Sequence, residues 1–215
     1  MLVLAFERMA QCDSRHLSEV LRLFTVTALE IGEGQQYDME FENRNDVKEE
    51  EYIEMIRLKT SVLLACAMKI GAILADAPAK DVENLYKFGE QIGLAFQLQD
   101  DYLDVYGDPK VFGKKIGGDI ICNKKTYMLI NAFNKANARQ CKELEKWIGC
   151  ENFNHEEKVA AVTELYNSIG VDKMAIERIN YYFDEANKYI AAVNLPDERK
   201  AELLAYAQKM LHRKW

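Results

Sequence analysis

Apolar residues recur at every third or fourth position along most of this 215-residue chain, and this spacing predicts amphipathic helices. An acidic first turn, Glu49-Glu50-Glu51, suits the positive end of a helix dipole, and Asp81 could cap the helix that follows. The first nine residues are apolar enough to be the middle of a buried helix. Together these patterns predict helices over 1–9, 13–39, 47–75, 82–106, 120–136, 138–148, 155–168, 171–193 and 196–213.

Helix-breaking residues are few and the patterns typical of strands are almost absent. The chain has 3 prolines and 11 glycines, which favours long helices over many short strands. No internal repeat, low-complexity segment or linker divides the sequence. We therefore expect an all-α fold, with residues 1–215 forming one domain built as a bundle of long helices.

Charge and cysteine content exclude several classes of protein. Lys plus Arg is 28 and Asp plus Glu is 35, giving a net charge of −7, whereas nucleic-acid binding needs a basic surface. No run of eighteen apolar residues predicts a membrane span. The five cysteines include no CxxC pair, so we expect free thiols and a cytoplasmic protein rather than a disulfide framework or a zinc site.

Three aspartates stand close together near the end of the helix predicted over 82–106. Asp100 and Asp104 lie four residues apart and share one helix face, with Asp101 beside them. Like charges at this spacing repel each other, and burying them in an otherwise apolar helix is costly unless a cation pairs with them. Carboxylate oxygens are hard ligands suited to Mg²⁺. The alternative is a solvated acidic helix face.

Lysines and glycines follow the aspartates directly. Gly113, Gly117 and Gly118 make a loop in which backbone amides can approach an anion closely. Four lysines lie in this loop or just after it, at Lys114, Lys115, Lys124 and Lys125. The order of charges suggests a bridge from carboxylate to divalent metal to phosphate to lysine.

Four elements in this order resemble the trans-isoprenyl diphosphate synthases of the polyprenyl synthetase family. The segment FQLQDDYLDVYGDPKVFGKKIGGDIICNKKT resembles that family's second aspartate-rich region in two of the four elements, its aspartate motif and the lysine- and glycine-rich loop after it. Upstream, Gly34-Gln35-Gln36-Tyr37-Asp38 is similar to its GQxxD element, and Lys59-Thr60 to its Lys-Thr pair. The resemblance implies an all-α, Mg²⁺-dependent prenyltransferase that joins an allylic diphosphate to isopentenyl diphosphate.

The resemblance also implies roles for individual residues. Metal binding is implied for the aspartates, diphosphate contact for the lysines, a place near the developing allylic cation for Gln97 and Thr60, and a place in the cavity wall for Gln35 and Asp38. A cap cluster at a helix end is the alternative for Gln35 and Asp38, and an ordinary surface lysine is the alternative for Lys59. Lys114 and Lys115 compete for one contact. The implied metal ligands are Asp100, Asp101 and Asp104, and the implied diphosphate contacts are Lys59, Lys124 and either Lys114 or Lys115.

The sequence departs from the family pattern at its start. The first aspartate-rich motif and the basic residues expected around it are missing, so the sequence resembles a member that lacks several N-terminal helices. We therefore expect weak or no turnover by this chain alone. The resemblance implies a homodimer, for which Phe24, Phe41 and Tyr52 offer apolar surface, although core packing is the default interpretation of each. A non-catalytic partner subunit of a synthase remains an alternative, and a class I terpene cyclase is a weaker one.

Overall fold

The computed structural model describes residues 2–108 and 116–211. Within these ranges the secondary structure is helical and no strand occurs, which confirms the predicted fold class. The helices are α1 (Leu2–Met9), α2 (Ser14–Phe41), α3 (Glu49–Ile56), α4 (Val62–Leu74), α5 (Ala79–Tyr106), α6 (Gly118–Ile121), α7 (Tyr127–Lys135), α8 (Ala138–Ile148), α9 (His155–Ile169), α10 (Val171–Ala191) and α11 (Asp197–Leu211).

Two of the predicted long helices are interrupted. The helix expected over 47–75 is divided into α3 and α4 by a π-helical turn at Arg57–Ser61. The helix expected over 120–136 is two short helices, because Asn123 takes a left-handed conformation with φ +53° between them. The apolar spacing continues through the first break, so the periodicity alone could not reveal it. The second break falls in a run of four polar residues, Asn123-Lys124-Lys125-Thr126, which the predicted helix spans.

Helix boundaries agree with several of the sequence signals. Glu49-Glu50-Glu51 forms the first turn of α3 as expected, although the helix begins two residues later than predicted, and Gly149 and Gly170 follow the ends of α8 and α9. The capping role expected for Asp81 is wrong, because α5 already begins at Ala79. Asp81 instead lies buried in the first turn, where its carboxylate accepts a hydrogen bond from the Asn194 amide at 3.1 Å.

Helix α5 lies at the centre of the fold and packs against α4, the π-helical turn and α10. Its apolar side chains enter three cores on different parts of its length, and Val82 lies in the smallest. Leu94 and Leu98 belong to the largest core, whereas Phe88 and Ile92 pack with the end of α10. The last turns of α5, which carry the three aspartates, are therefore held on a rigid and mostly buried helix.

Glycines allow the π-helical turn to pack tightly between two helices. A Cβ at Gly34 of α2 would lie 2.9 Å from the carbonyl carbon of Leu58, and one at Gly93 of α5 would lie 2.5 Å from the Cα of Ser61. Contacts this short are not tolerated against backbone atoms. The two positions thus require glycine because of close approach to the turn.

The apolar start of the chain forms the predicted helix, but the prediction that it is buried is wrong. Leu2, Val3 and Leu4 are 57%, 80% and 58% exposed, and α1 contains no buried residue. The helix is attached through Phe6, whose ring packs edge-on against Phe24 at a centroid distance of 4.9 Å.

Two of the three aromatic residues considered for a dimer surface belong to the core. Phe41 and Tyr52 are 4% and 2% exposed and pack in the largest core, which settles the open choice between surface and core for these two. All five cysteines are free thiols, as predicted. In the described ranges, no helix combines the length and the apolar character that crossing a bilayer requires.

We predict that Gly34→Ala destabilises the protein by about 1–3 kcal/mol, because the added methyl group overpacks α2 against the π-helical turn. Gly32→Ala is the matched control on the same helix, since nothing lies within 4 Å of its Cβ position. There the higher helix propensity of alanine should stabilise by about 0.5–1 kcal/mol. Urea unfolding of both variants measures the difference, and equal effects would contradict the packing argument.

Candidate active site

The π-helical turn directs two neighbouring side chains to two different helices. The Lys59 ammonium forms an ion pair with the Asp38 carboxylate of α2 at 2.5 Å. The Thr60 hydroxyl donates to the Gln97 side-chain oxygen of α5 at 3.2 Å. Adjacent residues on a helix point about 100° apart, so Lys59 and Thr60 reach separate neighbours. Three of the four predicted elements meet at this point.

The middle aspartate of the motif is buried and bound by protein groups. Asp101 is 3% exposed, and one of its oxygens accepts hydrogen bonds from the Tyr52 hydroxyl and, at 3.3 Å, from the Tyr127 amide. Its other oxygen lies 3.5 Å from the Gln97 amide nitrogen. Burial raises the pKa of Asp101 to about 7, and the hydrogen bonds from Tyr52 and Tyr127 only partly oppose this.

The last aspartate of the motif joins α5 to the short helix α6. One oxygen of Asp104 accepts a hydrogen bond from the Asp119 amide at 2.9 Å, and its backbone carbonyl accepts one from Gly117 at 2.6 Å. Burial raises the pKa of Asp104, while the amides of Gly118 and Asp119 act in the opposite direction. The nearby Asp100 carboxylate raises it further, so Asp100 and Asp104 share one electrostatic environment.

A single lysine of the described part of the loop region faces these carboxylates. The Lys124 ammonium lies 4.0 Å from a carboxylate oxygen of Asp119, and its amide donates to the Asp119 carbonyl at 2.9 Å. Burial lowers the pKa of Lys124, but the attraction of Asp119, Asp38, Asp101 and Asp104 outweighs it and leaves the pKa raised. Burial raises the pKa of the Asp119 carboxyl.

A cavity of about 490 Å³ opens beside this cluster, between the end of α2 and the segment that follows α6. Asp38 and Lys124 line it, together with Lys125 and Asn123. Asp38 lies in the last turn of α2 and pairs with Lys59, which argues against the helix-cap alternative. Gln35 lies one turn earlier and is exposed, and it is not among the described residues that line this cavity.

The structure therefore brings most of the predicted residues into one connected region. Ion pairs, hydrogen bonds and electrostatic contacts link Asp38, Lys59, Thr60, Gln97, Asp100, Asp101, Asp104 and Lys124. Lys114 and Lys115 lie outside the described residues, so the choice between them stays open.

Two residues of the site had no part in the site assigned to them from the sequence. Asp119 follows a glycine pair at the start of α6, and an aspartate in that position is typical of a helix N-terminus; its contribution to the carboxylate cluster arises because α6 folds back onto α5. Tyr52 precedes Asp101 by 49 residues. No local pattern connects residues so far apart, so only the three-dimensional packing reveals this hydrogen bond.

The donor atoms present suit Mg²⁺. No group of three or more His, Cys, Asp or Glu side chains within 2–108 and 116–211 is arranged to hold a metal by itself. Mg²⁺ is typically held by one or two carboxylates, water and substrate phosphates. Asp100 and Asp104 provide such a pair on one helix face, and the raised pKa of Asp104 shows that its charged form lacks sufficient compensation.

The Polyprenyl synthetase family profile matches residues 1–166, and the chain belongs to this family. It is 40% identical over 163 residues to a short chain isoprenyl diphosphate synthase of Methanothermobacter thermautotrophicus, a match that covers 76% of this chain and 49% of that protein. The chain thus spans about half the length of this curated relative.

Solved structures of similar proteins have the same fold. A geranylgeranyl pyrophosphate synthase superimposes with a TM-score of 0.92 and 38% identity, covering 99% of this chain and 66% of that one. The geranylgeranyl pyrophosphate synthase of Corynebacterium glutamicum, solved with isoprenyl diphosphate and magnesium, gives a TM-score of 0.85 and 27% identity over 94% of this chain and 57% of that one.

We predict a pH dependence of stability that comes from Asp101. Its pKa in the folded protein, about 7, lies above the ordinary value of 3.8, so the native state binds more protons between these pH values and stability falls as pH rises through this window. Asp101→Asn removes this titration. The variant should therefore gain stability relative to wild type as pH rises from 4 to 8, by up to about 4 kcal/mol at 1.36 kcal/mol per pKa unit.

Urea unfolding in the presence of EDTA measures this difference at each pH without a contribution from bound metal. The comparison with wild type at the same pH cancels the titration of all other groups. A stability difference between Asp101→Asn and wild type that is the same at pH 4 and pH 8 would contradict the prediction.

Proposed function

We propose that this chain forms the part of a trans-prenyl diphosphate synthase that binds the allylic diphosphate through the second aspartate-rich motif. The observation that carries the proposal is the convergence of lysines and aspartates from four segments. Asp38 on α2 and Lys124 after α6 line one cavity, Lys59 on the π-helical turn pairs with Asp38, and Asp104 on α5 acts electrostatically on Lys124. A diphosphate needs cations from several directions, and a divalent metal needs carboxylates on one side of it.

Two of the three aspartates are the better candidates for direct metal ligands. Asp100 and Asp104 are only partly buried, whereas Asp101 is buried and one of its oxygens accepts hydrogen bonds from both Tyr52 and Tyr127. A metal that bridges to a diphosphate must contact the open side of α5. We therefore infer that Asp100 and Asp104 bind Mg²⁺ and that Asp101 fixes the helix end beside them.

The lysines would neutralise the leaving diphosphate. In the described structure Lys59 is paired with Asp38, and Lys124 lies among carboxylates. Both ammonium groups can turn toward phosphate oxygens while they stay near their acidic partners. Either Lys114 or Lys115 would add a further contact, as the family resemblance implies. Bound Mg²⁺ would supply the remaining positive charge.

The reaction then follows from charge neutralisation. The allylic carbon–oxygen bond breaks, and the electron pair leaves with the diphosphate held by Lys59 and Lys124. The oxygens of Gln97 and Thr60, which lie within 3.2 Å of each other, would face the allylic cation and stabilise it electrostatically. The double bond of isopentenyl diphosphate attacks this cation, and loss of a proton gives the longer trans-prenyl diphosphate.

Ligand binding tests the proposal directly. Magnesium together with dimethylallyl diphosphate at about 100 times its dissociation constant should stabilise the chain by about 2.7 kcal/mol. For a chain of this size that corresponds to a rise of roughly 5–10 °C in melting temperature. Asp100→Ala should abolish the rise, whereas Asp184→Ala, an exposed aspartate on α10, is the matched control and should preserve it.

The same experiment has a clear negative outcome. A melting temperature that does not respond to magnesium and dimethylallyl diphosphate in the wild-type chain would contradict diphosphate binding. A full response in Asp100→Ala would leave diphosphate binding in place but refute the assignment of Asp100 as a ligand.

Turnover is expected to be weak in this chain alone, because its sequence has one aspartate-rich motif and the diphosphate needs compensation from two sides. Condensation of radiolabelled isopentenyl diphosphate with dimethylallyl diphosphate measures it, alongside a version extended upstream through a first motif. Comparable turnover by both would contradict this expectation. A change in product length when this chain is mixed with an intact synthase would favour the alternative of a partner subunit.

We also propose that the chain forms a homodimer, as the family resemblance implies. Val26 and Leu29 of α2 are 45% and 71% exposed and lie one turn apart, which leaves apolar surface on the helix that carries Asp38. Light scattering at high protein concentration should report a dimer, and a monomer throughout would contradict the proposal.

A further inference from the structure

One fully buried lysine lies next to the site without belonging to any predicted motif. Lys158 of α9 is 1% exposed. Its ammonium donates to the side-chain oxygen of Asn123 at 2.7 Å and to the Ile121 carbonyl at 3.3 Å. It also lies 4.1 Å from the centroid of the Phe153 ring, which is a favourable cation–π distance. All three contacts hold one charged group over the end of α6.

Asn123, which accepts the shorter of the two hydrogen bonds from Lys158, has a left-handed backbone conformation. Its φ of +53° lies in the left-handed region. Residues other than glycine adopt this conformation at a cost, and asparagine is among those that tolerate it best. Its side-chain nitrogen donates to the Ile148 carbonyl at 3.1 Å. The amide group of Asn123 is thus held at both ends, by Lys158 through its oxygen and by α8 through its nitrogen.

The left-handed residue directly precedes the lysines of the site. Lys124 follows it, and the Lys124 amide turns back to the Asp119 carbonyl at 2.9 Å. The Lys125 ammonium lies 3.4 Å from the Asn123 carbonyl. The Thr126 amide donates to the Lys124 carbonyl at 2.9 Å. The direction of the chain at Asn123 therefore decides where Lys124 lies relative to the carboxylates.

A residue that only filled this space would be expected to be apolar. Burying an ammonium group costs hydration, and burial lowers the pKa of Lys158 for that reason. The surroundings include Val162 and Leu144 in the same small cavity, which would pack well against a methionine. A buried ammonium group at this position is therefore explained by its hydrogen bonds to the Ile121 carbonyl and the Asn123 side chain.

We propose that Lys158 is a positioning residue for the diphosphate site, which holds Asn123 in its left-handed conformation and thereby directs Lys124 toward the carboxylate cluster. This inference rests on the proposed function for its chemistry, because the ligand that Lys124 would meet is the diphosphate. Its structural half, the fixing of the segment 122–126 by Lys158, can be tested without any ligand.

A double-mutant cycle tests whether Lys158 acts through Lys124. Calorimetric titration with magnesium and inorganic diphosphate should show about tenfold weaker binding for Lys158→Met and a larger loss for Lys124→Met. The double variant should bind no more weakly than Lys124→Met, because Lys158 has nothing left to position. Unchanged binding by Lys158→Met, or losses that multiply in the double variant, would overturn the proposal.

Two further variants separate positioning from general destabilisation. Lys200→Met removes another buried lysine, 8% exposed and located on α11, and should leave diphosphate affinity unchanged. Asn123→Ala removes the acceptor without removing a core side chain, and should weaken binding about as much as Lys158→Met. A loss in Lys200→Met equal to that in Lys158→Met, or no loss in Asn123→Ala, would refute positioning.

Hydrogen exchange distinguishes failure of the inference from failure of the proposed function. In Lys158→Met the amides of Lys124 and Thr126 should exchange at least tenfold faster than in wild type, while those of Lys200→Met should not change. If wild type binds no diphosphate, the proposed function fails, and faster exchange still upholds the fixing of the segment by Lys158. Unchanged exchange in Lys158→Met would overturn the inference in either case.

Discussion

The site depends on the close approach of three backbones at the π-helical turn. Gly34 on α2 and Gly93 on α5 flank this turn from two sides, at distances that leave no room for a Cβ. Because the turn is fixed between both helices, Lys59 is presented to α2 and Thr60 to α5. Backbone packing, rather than any polar contact, therefore sets the geometry on which the polar contacts rely.

The electrostatic balance of the site favours cations from outside the chain. Aspartates 38, 100, 101, 104 and 119 act together on Lys124 or on one another, and Lys59 and Lys124 are the described lysines that face them. Burial raises the pKa of Asp104 and of Asp119, which means that their charged forms are under-compensated in the folded protein. A cluster of this kind is costly to fold, and a divalent cation that binds a diphosphate would remove much of that cost.

The helical fold, and the placing of polar residues on one face of a helix, could be predicted from the sequence because both follow from local spacing. Asp100 and Asp104 had to share a face, and Lys59 and Thr60 were recognised from their motif. The π-helical turn at Arg57–Ser61 was not predicted, because the apolar pattern continues through it. The left-handed conformation of Asn123 was not predicted, because its contacts are with α8 and α9, which are distant in the sequence. Contacts between segments far apart in sequence, such as Tyr52 with Asp101, leave no local pattern.

The three aspartates of the motif differ in burial, and the proposed site gives them different roles accordingly. A helix end that must hold a metal has to resist the repulsion of its own carboxylates, and hydrogen bonds to the protein provide that resistance. Asp101 accepts them from Tyr52 and Tyr127, which tie α5 to α3 and α7. Asp104 accepts hydrogen bonds from the Asp119 and Gly118 amides of α6, and Asp100 lies on the same face with part of its surface open. In the proposed site the buried aspartate would stabilise the position of the other two, which would account for three carboxylates where two ligands suffice.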